Sequence, residues 1–333
     1  MTATDRQYRP SRPLWPLIPL ALLAMLAGSL IGTTHLDLMS IWQEGTRDFH
    51  IFWNLRLPQV LVAFLAGSGL ALCGMSFQAL FLNTLATPYT LGVAGGASWG
   101  ASFVIFLGGL PGLAVSYQVS LGAMGGAGLA MALIIVFSRS RMGHQRHVML
   151  LAGVAVSFFF SSLLLLTMAL SSMYQSFQIT RWLMGGIRVA GYREVLLLSP
   201  VVIPGLVVLL FQGTRLNMLL LGDDLARSRG LNVIRTKHLL FLVVSLMVAT
   251  IVSVTGPIGF VGMVIPHICR LVWGGDHKRL GPASFMAGGI MLVLCDLVAR
   301  LLLPPSGLPV GVLTAMIGSP FFFILLWRRR YRF

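Results

Sequence analysis

The chain has 333 residues, of which 56% are hydrophobic and only 10% are charged. Soluble domains average roughly 45–50% apolar and about 25% charged residues, so this composition excludes an ordinary water-soluble enzyme. The formal net charge of +15 leaves two interpretations, a nucleic-acid-binding protein or a membrane protein with arginine-rich cytoplasmic loops.

The apolar residues are grouped in runs of the length that a membrane-spanning helix needs, about 20 residues each. The first run follows Arg6, Arg9 and Arg12, a pattern that a signal peptide also shows. It is longer than the usual apolar core of such a peptide, however, and no small-x-small cleavage site follows it, so we interpret it as a span. No run alternates with the period of a barrel strand, so we predict an all-α polytopic membrane protein. The ten predicted spans are residues 14–31, 57–80, 91–110, 118–137, 148–171, 195–213, 238–255, 258–272, 281–303 and 310–327.

The positions of the basic residues predict the orientation of these spans. An even number of spans places both termini on the same side of the membrane. If that side is the cytoplasm, the inside segments hold seventeen Lys and Arg residues and the outside segments hold five. The positive-inside rule therefore predicts cytoplasmic termini, and the charge needs no nucleic-acid partner. The predicted organisation is a cytoplasmic tail, 1–13, a single transmembrane domain, 14–327, and a basic cytoplasmic tail, 328–333.

Glycine and proline residues occur in two informative patterns within the spans. Gly92, Gly96 and Gly100 in one span, and Gly122 and Gly126 in the next, have the small-xxx-small spacing that lets helix backbones approach closely. In the last third of the chain, Gly256-Pro257, Pro266 and the segment 304–309 interrupt apolar runs. Each interruption alone is consistent with a simple kink, and together they suggest a transport pathway or re-entrant segments.

A few polar or reactive residues fall inside the predicted spans. Asp296 and Arg300 are four residues apart and share a helix face, so we expect an ion pair, with an outward-facing Arg300 as the alternative. His267 is expected to be a hydrogen-bonded packing residue. The three cysteines have no CxxC spacing and are expected to be packing residues, so we predict no disulfide, metal site or cofactor.

The longest inside connection, 214–237, contains a short candidate helix. Acidic residues open it, basic residues close it and a glycine follows, which is the order that caps and the helix dipole favour. The two interpretations are a solvated loop that carries positive-inside charge and a docking helix for a cytoplasmic partner. Because the chain has no GxxxxGK[ST] phosphate loop and no recognisable catalytic set, it is not expected to be an enzyme, and any ATPase must be a separate chain.

Several motifs, taken together, carry a family resemblance. They are Arg56-Leu57-Pro58; Gly74-x-x-Phe77-Gln78; 83–88 with Leu91-Gly92-Val93; 182–186; 256–262 with Pro266-His267-Ile268-Cys269-Arg270; 296–300; and Leu308-Pro309-Val310-Gly311 with Thr314 and 318–322. In this order and spacing the chain resembles the FecCD-type permeases, the membrane subunits of ABC importers for iron–siderophores, haem and vitamin B12. The resemblance extends over nearly the whole chain from about residue 14.

The resemblance implies a fold and a set of partners. The fold is the type II ABC importer permease fold of ten helices, in the bacterial cytoplasmic membrane. The partners are membrane lipid, a second permease subunit, usually an identical one, two copies of a cytoplasmic ABC ATPase, and a periplasmic or lipid-anchored substrate-binding protein. The family's coupling helices match residues 220–233 of this chain. The implied ATPase-coupling residues are Gly222, Asp223, Asp224, Leu225, Ala226, Arg227, Arg229 and Gly230.

The resemblance also implies that outward arginines meet acidic residues of the binding protein, and Arg56 and Arg300 match those positions. The chain departs from the family pattern at Gln59, where some members have a second arginine, at Gly307, where many have glutamate, and at Thr84, where proline is common. The first departure puts part of the electrostatic docking in doubt, and the second makes the outer loops more positive than is typical.

Small polar side chains on the fifth span and the segment after it are the candidate pathway residues, with interhelical hydrogen bonding as the alternative role. They are Ser161, Ser162, Thr167, Ser171, Ser172, Tyr174 and Gln178. The favoured function is iron-chelate import by ATP-driven alternating access, with haem or vitamin B12 as alternative substrates. The competing functions are an ATPase-independent secondary transporter, for which Asp296 is the only clear coupling residue, and a non-transporting scaffold or sensor.

Overall fold

A computed structural model describes residues 13–89, 92–109, 114–139, 146–187, 189–303 and 307–330. Several residues of the charge count, among them Arg6, Arg9, Arg12, Arg188 and Arg332, lie outside this part of the chain, as does most of each predicted terminal tail. The described part is almost entirely helical. This agrees with the predicted class and with the rule that only helices satisfy their own backbone groups in lipid without closing a barrel.

Ten of the described helices coincide with the ten predicted apolar runs, and three shorter α-helices of six residues or more lie between them. Chain order gives α1 (Leu17–Leu30), α2 (Leu57–Phe81), α3 (Val93–Phe106), α4 (Val115–Arg139), α5 (Arg146–Leu170), α6 (Met173–Leu183), α7 (Arg193–Phe211), α8 (Gly213–Leu219), α9 (Asp223–Ser228), α10 (Val233–Thr255), α11 (Val261–Trp273), α12 (His277–Leu302) and α13 (Val310–Arg330).

The helices differ in how well their length suits a membrane crossing. Within the described residues, six segments are long and apolar enough to span by themselves, and they include α2, α4, α5, α7, α10 and α12. The remaining apolar helices, α1, α3, α11 and α13, contain shorter apolar stretches of 10–17 residues. The structure therefore confirms an apolar helical bundle, while the number of ten spans stays a prediction.

Helix α2 forms the centre of the bundle and packs against α7, α10, α11 and α12. The segment Arg47–Phe81 contains α2, and 83% of its most apolar 18-residue stretch is buried inside the bundle. The corresponding share for α5 is 17%. Glycine makes this packing possible, because a Cβ at Gly74 would clash with the backbone of Gly262 in α11, and one at Gly67 would clash with Gly288 in α12. Backbone approaches this close need a residue without a side chain.

The predicted small-residue contacts between the third and fourth spans are confirmed. A Cβ at Gly96 would meet the carbonyl of Gly126, and one at Gly100 would meet that of Gly122. Gly92 has a different role from the one the spacing suggested. It precedes α3 with a φ of +83°, and it lies against α5 at Gly153 and Val156.

The predicted interruptions in the last third of the chain have different outcomes. Residues 256–260 break the helix between α10 and α11, and Phe260 has a φ of +68°, which is strained for a residue with a side chain. This broken backbone is buried in protein, where Tyr89 Oη accepts a hydrogen bond from Ile258 N at 2.6 Å. Pro266 lies inside α11 without ending it. Residues 304–306 lie outside the described part.

The structure contains local elements that the apolar runs did not predict. Helix α6 begins at a capping box, in which the Ser172 side chain accepts from the Gln175 backbone and the Gln175 side chain accepts from the Ser172 backbone. Ahead of α2 the chain winds into a wide π-helix, His50–Arg56. Helix α8 separates α7 from the predicted docking helix.

The contact between α2 and α11 predicts opposite effects of one methyl group at two glycines. Gly74→Ala should destabilise the protein by about 1–3 kcal/mol, because its Cβ would overlap the Gly262 backbone. Gly125→Ala is the control, since a Cβ there meets nothing within 4 Å and alanine is the better helix former. Thermal unfolding in detergent measures both effects. Equal midpoints for the two variants would contradict the close helix contact.

Candidate functional site

The predicted docking helix is present as α9, and its two ends are built as the sequence indicated. Gly222 precedes it with a φ of +100°, and Asp223 and Asp224 occupy its first turn. At the other end Gly230 has a φ of +83° and donates to the carbonyl of Arg227, while Leu231 N donates to that of Ala226. This pair of bonds is a Schellman motif, which ends a helix at a glycine.

Most of α9 faces outward from the bundle. Ala226 is buried, whereas Asp224, Leu225, Arg227 and Arg229 are exposed. Asp223 is the exception among its charged residues, because its carboxylate forms an ion pair of 2.6 Å with Lys237 of α10. The helix therefore presents one apolar and several charged side chains on a surface that the bundle itself holds in place.

A polar cluster lies at the far end of α12, inside an otherwise apolar bundle. Asp296 is 2% exposed, and its Oδ2 lies 3.1 Å from Arg300 Nε, so the predicted ion pair is present. Gln59 Nε2 donates to Asp296 Oδ1 at 2.9 Å and to the carbonyl of Ile187 at 3.0 Å. The Gln59 amide therefore joins the buried carboxylate of α12 to the backbone at Ile187.

The two arginines predicted to face a binding protein both have internal partners. Arg56 is only 5% exposed, and its guanidinium donates to the carbonyls of Leu30 and Thr34, each at 2.6 Å. Arg300 Nη2 donates to the carbonyl of Gly28 at 2.9 Å, and part of the side chain stays accessible. Both residues therefore bind the end of α1. Their docking role stays a prediction, with Arg300 the more accessible of the two.

These residues border a cavity of about 1030 Å³ at this end of the bundle. Arginines outnumber acidic residues on its wall, so the cavity at the end of α12 far from α9 carries a net positive charge on a lining of mixed polar and apolar residues. Sequence reasoning missed Arg181, Arg193 and Glu194, because nothing in their local patterns shows that they converge. The charged lining residues are Arg56, Arg181, Arg193, Arg300, Glu194 and Asp296.

The predicted pathway residues have different surroundings in the single subunit. Gln178 lines the outer cavity, and Ser172 caps α6. Ser162, Thr167 and Ser171 each donate to the carbonyl four residues earlier in the same chain segment, at 2.6–2.9 Å, which differs from the interhelical bonding considered as their alternative role. Ser161 and Tyr174 are exposed. The pathway role of this set stays a prediction.

A second, apolar groove of about 600 Å³ lies beside α6 and α13. Met184 and Pro257 line it on one side, and Gly311, Met316 and Ser319 on the other. The surrounding surface is unusually apolar, with Met173 93% exposed at the start of α6. An exposed apolar face of this kind is typical of contact with lipid or another subunit.

Several residues of the family motifs make packing or hydrogen-bonding contacts between helices. The His267 ring meets Phe321 edge to face, with ring centroids 6.0 Å apart. Arg270 Nη2 donates to Gln78 Oε1 at 3.2 Å, which joins two of the motifs that carry the family resemblance. The three cysteines, Cys73, Cys269 and Cys295, are free and buried.

Comparison with known proteins agrees with this architecture. The model of the FecCD transport family matches residues 20–328. The hemin transport system permease protein HmuU of Yersinia pestis is 36% identical over 304 residues, which are 90% of each chain. The vitamin B12 import system permease protein BtuC of Salmonella typhi is 40% identical over 276 residues, 82% of each chain.

A solved structure has the same fold over nearly its whole length. It is described as a metal-chelate type ABC transporter in an inward-facing conformation, and it superposes with a TM-score of 0.83 at 29% identity. The match covers 94% of this chain and 98% of the other. With a family model over most of its length and relatives above one third identity, this chain belongs to the FecCD family of ABC importer permeases, which are multi-pass membrane proteins and transport subunits.

Proposed function

We propose that this chain is the membrane-spanning subunit of an importer that takes up an iron chelate of the siderophore type by ATP-driven alternating access. Family membership implies an ATPase and a substrate-binding protein as partners. The observation that carries the proposal is the placement of two different polar surfaces at opposite ends of one helix bundle. The exposed helix α9 lies at one end, and the positively charged cavity lies at the other.

Helix α9 suits contact with the ATPase. Its exposed Leu225 offers an apolar anchor, and Arg227 and Arg229 surround it with charge that steers a partner. The buried Ala226 and the ion pair between Asp223 and Lys237 hold the helix against the bundle, and the Schellman motif fixes its C-terminal end. A force applied to a helix that is fixed in this way moves the elements to which it is bound, as coupling requires.

The outer cavity suits the binding protein. The charge distribution of the sequence favours cytoplasmic termini, and α9 then lies on the cytoplasmic side and the cavity on the outside. Acidic side chains of a docked protein would meet the arginines of the cavity wall, of which Arg300 is partly accessible. The binding protein would then release its cargo toward the interface between two permease subunits.

The second permease subunit is proposed to be an identical chain. The apolar face formed by α6 and α13 includes Met173, Tyr174, Phe177 and Met316, all strongly exposed in the single subunit. Covering such a face with another copy would remove its apolar side chains from lipid and close the sides of a central pathway. The small polar residues of α5, Ser161 and Ser162, are also exposed and are proposed to line this pathway.

The proposed substrate class comes from the descriptions of the relatives that the chain matches. The solved relative is described as of metal-chelate type, and the curated relatives carry hemin or vitamin B12 in their names. All three are large metal complexes, and an iron chelate is the favoured member of the class. Haem and vitamin B12 are the alternatives, because the binding protein provides most of the selectivity in such importers.

A secondary transporter is the competing function of another class. It needs an intramembrane acidic group that is free to bind a coupling ion. Asp296 is the buried acidic residue of α12, and it already pairs with Arg300 and accepts from Gln59. This engagement favours a structural role for Asp296, and so favours the ATP-driven importer.

Reconstitution tests the proposed function directly. The chain, its ATPase and its binding protein are placed in proteoliposomes, and uptake of a ferric siderophore, haem and vitamin B12 is measured with and without ATP. We expect uptake that depends on ATP and on both partners, with the ferric siderophore transported fastest. Uptake without the ATPase would refute the importer, and faster uptake of haem or vitamin B12 would replace the substrate.

Charge reversal on α9 tests the coupling surface. Arg227→Glu together with Arg229→Glu should weaken ATPase association at least tenfold, because both side chains are exposed and would place negative charge where positive charge steers the partner. Arg47→Glu, an exposed reversal on the other side of the predicted topology, is the matched control and should leave association unchanged. Pull-down from detergent measures both. Unchanged association of the double variant would show that α9 is not the coupling helix.

The ion pair of α12 allows a test of docking in which neutralising either partner has a different expected effect on affinity. Arg300→Gln removes one positive charge from the cavity and should weaken binding-protein affinity several-fold. Asp296→Asn removes the negative charge that offsets Arg300 and should leave affinity equal or higher. Both affinities are measured at low and high salt, since screening should shrink the difference. If both variants weaken docking equally, the pair acts only through the fold.

A further inference from the structure

A hydrogen-bonded latch fixes the segment before α9 to the start of α12. Asn217, in α8, uses both ends of its amide in this latch. Its Nδ2 donates to Asp276 Oδ1 at 2.6 Å, and its Oδ1 accepts from the backbone N–H of His277 at 2.9 Å. The same oxygen lies 2.8 Å from His277 Nδ1. One side chain thus joins residues that are 60 positions apart in the sequence.

The acidic partner in this latch also defines where α12 begins. Asp276 is the N-cap of α12, where its Oδ1 accepts from the backbone of Lys278 at 3.0 Å. Burial raises the pKa of Asp276, but the hydrogen bonds from Asn217 and Lys278 outweigh burial and leave the pKa below its ordinary value. The carboxylate is therefore charged at neutral pH and accepts both bonds at once.

The packing around the latch leaves little room for independent movement of α8. Leu216 and Leu219 of α8 are fully buried, and His277 is 1% exposed. A Cβ at Gly213 would lie 3.1 Å from the backbone of Lys278, so the two backbones are in direct contact. Because only residues 220–222 separate α8 from α9, the exposed coupling helix is connected to α12 through a short and well-packed segment.

Helix α12 then extends from the latch to the outer cavity. Its 26 residues correspond to about 39 Å of helix, enough to cross the hydrocarbon layer. At its far end Arg300 pairs with Asp296, binds α1 and lines the cavity. A displacement of α8 would therefore be carried along one continuous helix to the surface where the binding protein is proposed to dock.

We infer that Asn217 is a positioning residue that transmits the movement of α9 to α12, so that ATP hydrolysis at the cytoplasmic side changes the outer cavity. The inference rests on the proposed function, and it assigns a particular route within it. The route differs from the tie between Asp223 and Lys237, which joins α9 to α10. Loss of Asn217 should uncouple hydrolysis from transport without detaching the ATPase, because the exposed face of α9 is unchanged.

The test measures substrate molecules transported per ATP hydrolysed by the reconstituted complex. Asn217→Ala should lower this ratio at least fivefold, while ATPase association and the hydrolysis rate stay within twofold of the parent complex. Ser102→Ala is the control, since the Ser102 hydroxyl donates to the carbonyl of Ser98 within α3, a helix that packs against neither α8, α9 nor α12. That variant should keep the parent ratio. Because the readout is a ratio, a smaller amount of folded complex does not change it.

An exchange of the two side chains separates coupling from mere stability. Asn217→Asp alone removes the donor and faces a second carboxylate toward Asp276, so the ratio should fall as in the alanine variant. Adding Asp276→Asn restores one donor and one acceptor, and asparagine caps a helix as well as aspartate does. The double variant should recover the parent ratio to within twofold.

Two results would overturn the inference. One is an Asn217→Ala variant that transports as many substrate molecules per ATP as the parent complex. The other is a double variant, Asn217→Asp with Asp276→Asn, whose ratio stays as low as that of Asn217→Asp alone. Failure of the proposed function is a different outcome, because the parent complex itself would then show no ATP-dependent uptake, whatever residue stands at position 217.

Discussion

Close approach of helix backbones at glycine is the constraint on which this structure depends. In a bilayer, lipid tails are as apolar as leucine, so helices associate through close packing rather than through removal of apolar surface from water. Helix α2 meets α11 at Gly74 and α12 at Gly67, and in both places the opposing atoms belong to backbone. These contacts fix three helices at distances that no side chain would permit. The polar groups at either end of α12 are brought into register by the same packing.

The close backbone contacts also explain why polar residues can exist in the bundle. Asp296 carries a charge in an apolar layer, and Gln59 and Arg300 surround it with donors. Such an arrangement is stable only if the donors are held at hydrogen-bonding distance, since an unpaired buried charge costs several kcal/mol. Tight packing of α2 on α12 holds Gln59 within 2.9 Å of the carboxylate. A shift of α12 would therefore change both the backbone packing against α2 and the hydrogen bonds of Asp296.

The sequence predicted what is encoded locally and missed what depends on contacts between distant segments. Apolar runs located the ten apolar helices, and the charge order between Asp223 and Gly230 located α9 and its glycine end, because each signal lies within a few residues. The Ser172 and Gln175 capping box was equally local, and it could have predicted α6. The latch at Asn217 had no local signal, since its partners lie 60 residues away. The convergence of Arg181 and Arg193 on the cavity required the folded bundle for the same reason.

Arg56 and Arg300 serve the fold through the end of a neighbouring helix. Helix α1 ends at Leu30, and Arg56 and Arg300 donate to the carbonyls of Leu30 and Gly28, two groups that a helix C-terminus leaves without intrahelical partners. Cations are also favoured there by the helix dipole. A docked acidic group would therefore compete with α1 for the same guanidinium donors. The proposed docking would by this route loosen the end of α1 from α12, the helix whose other end is held by the Asn217 latch.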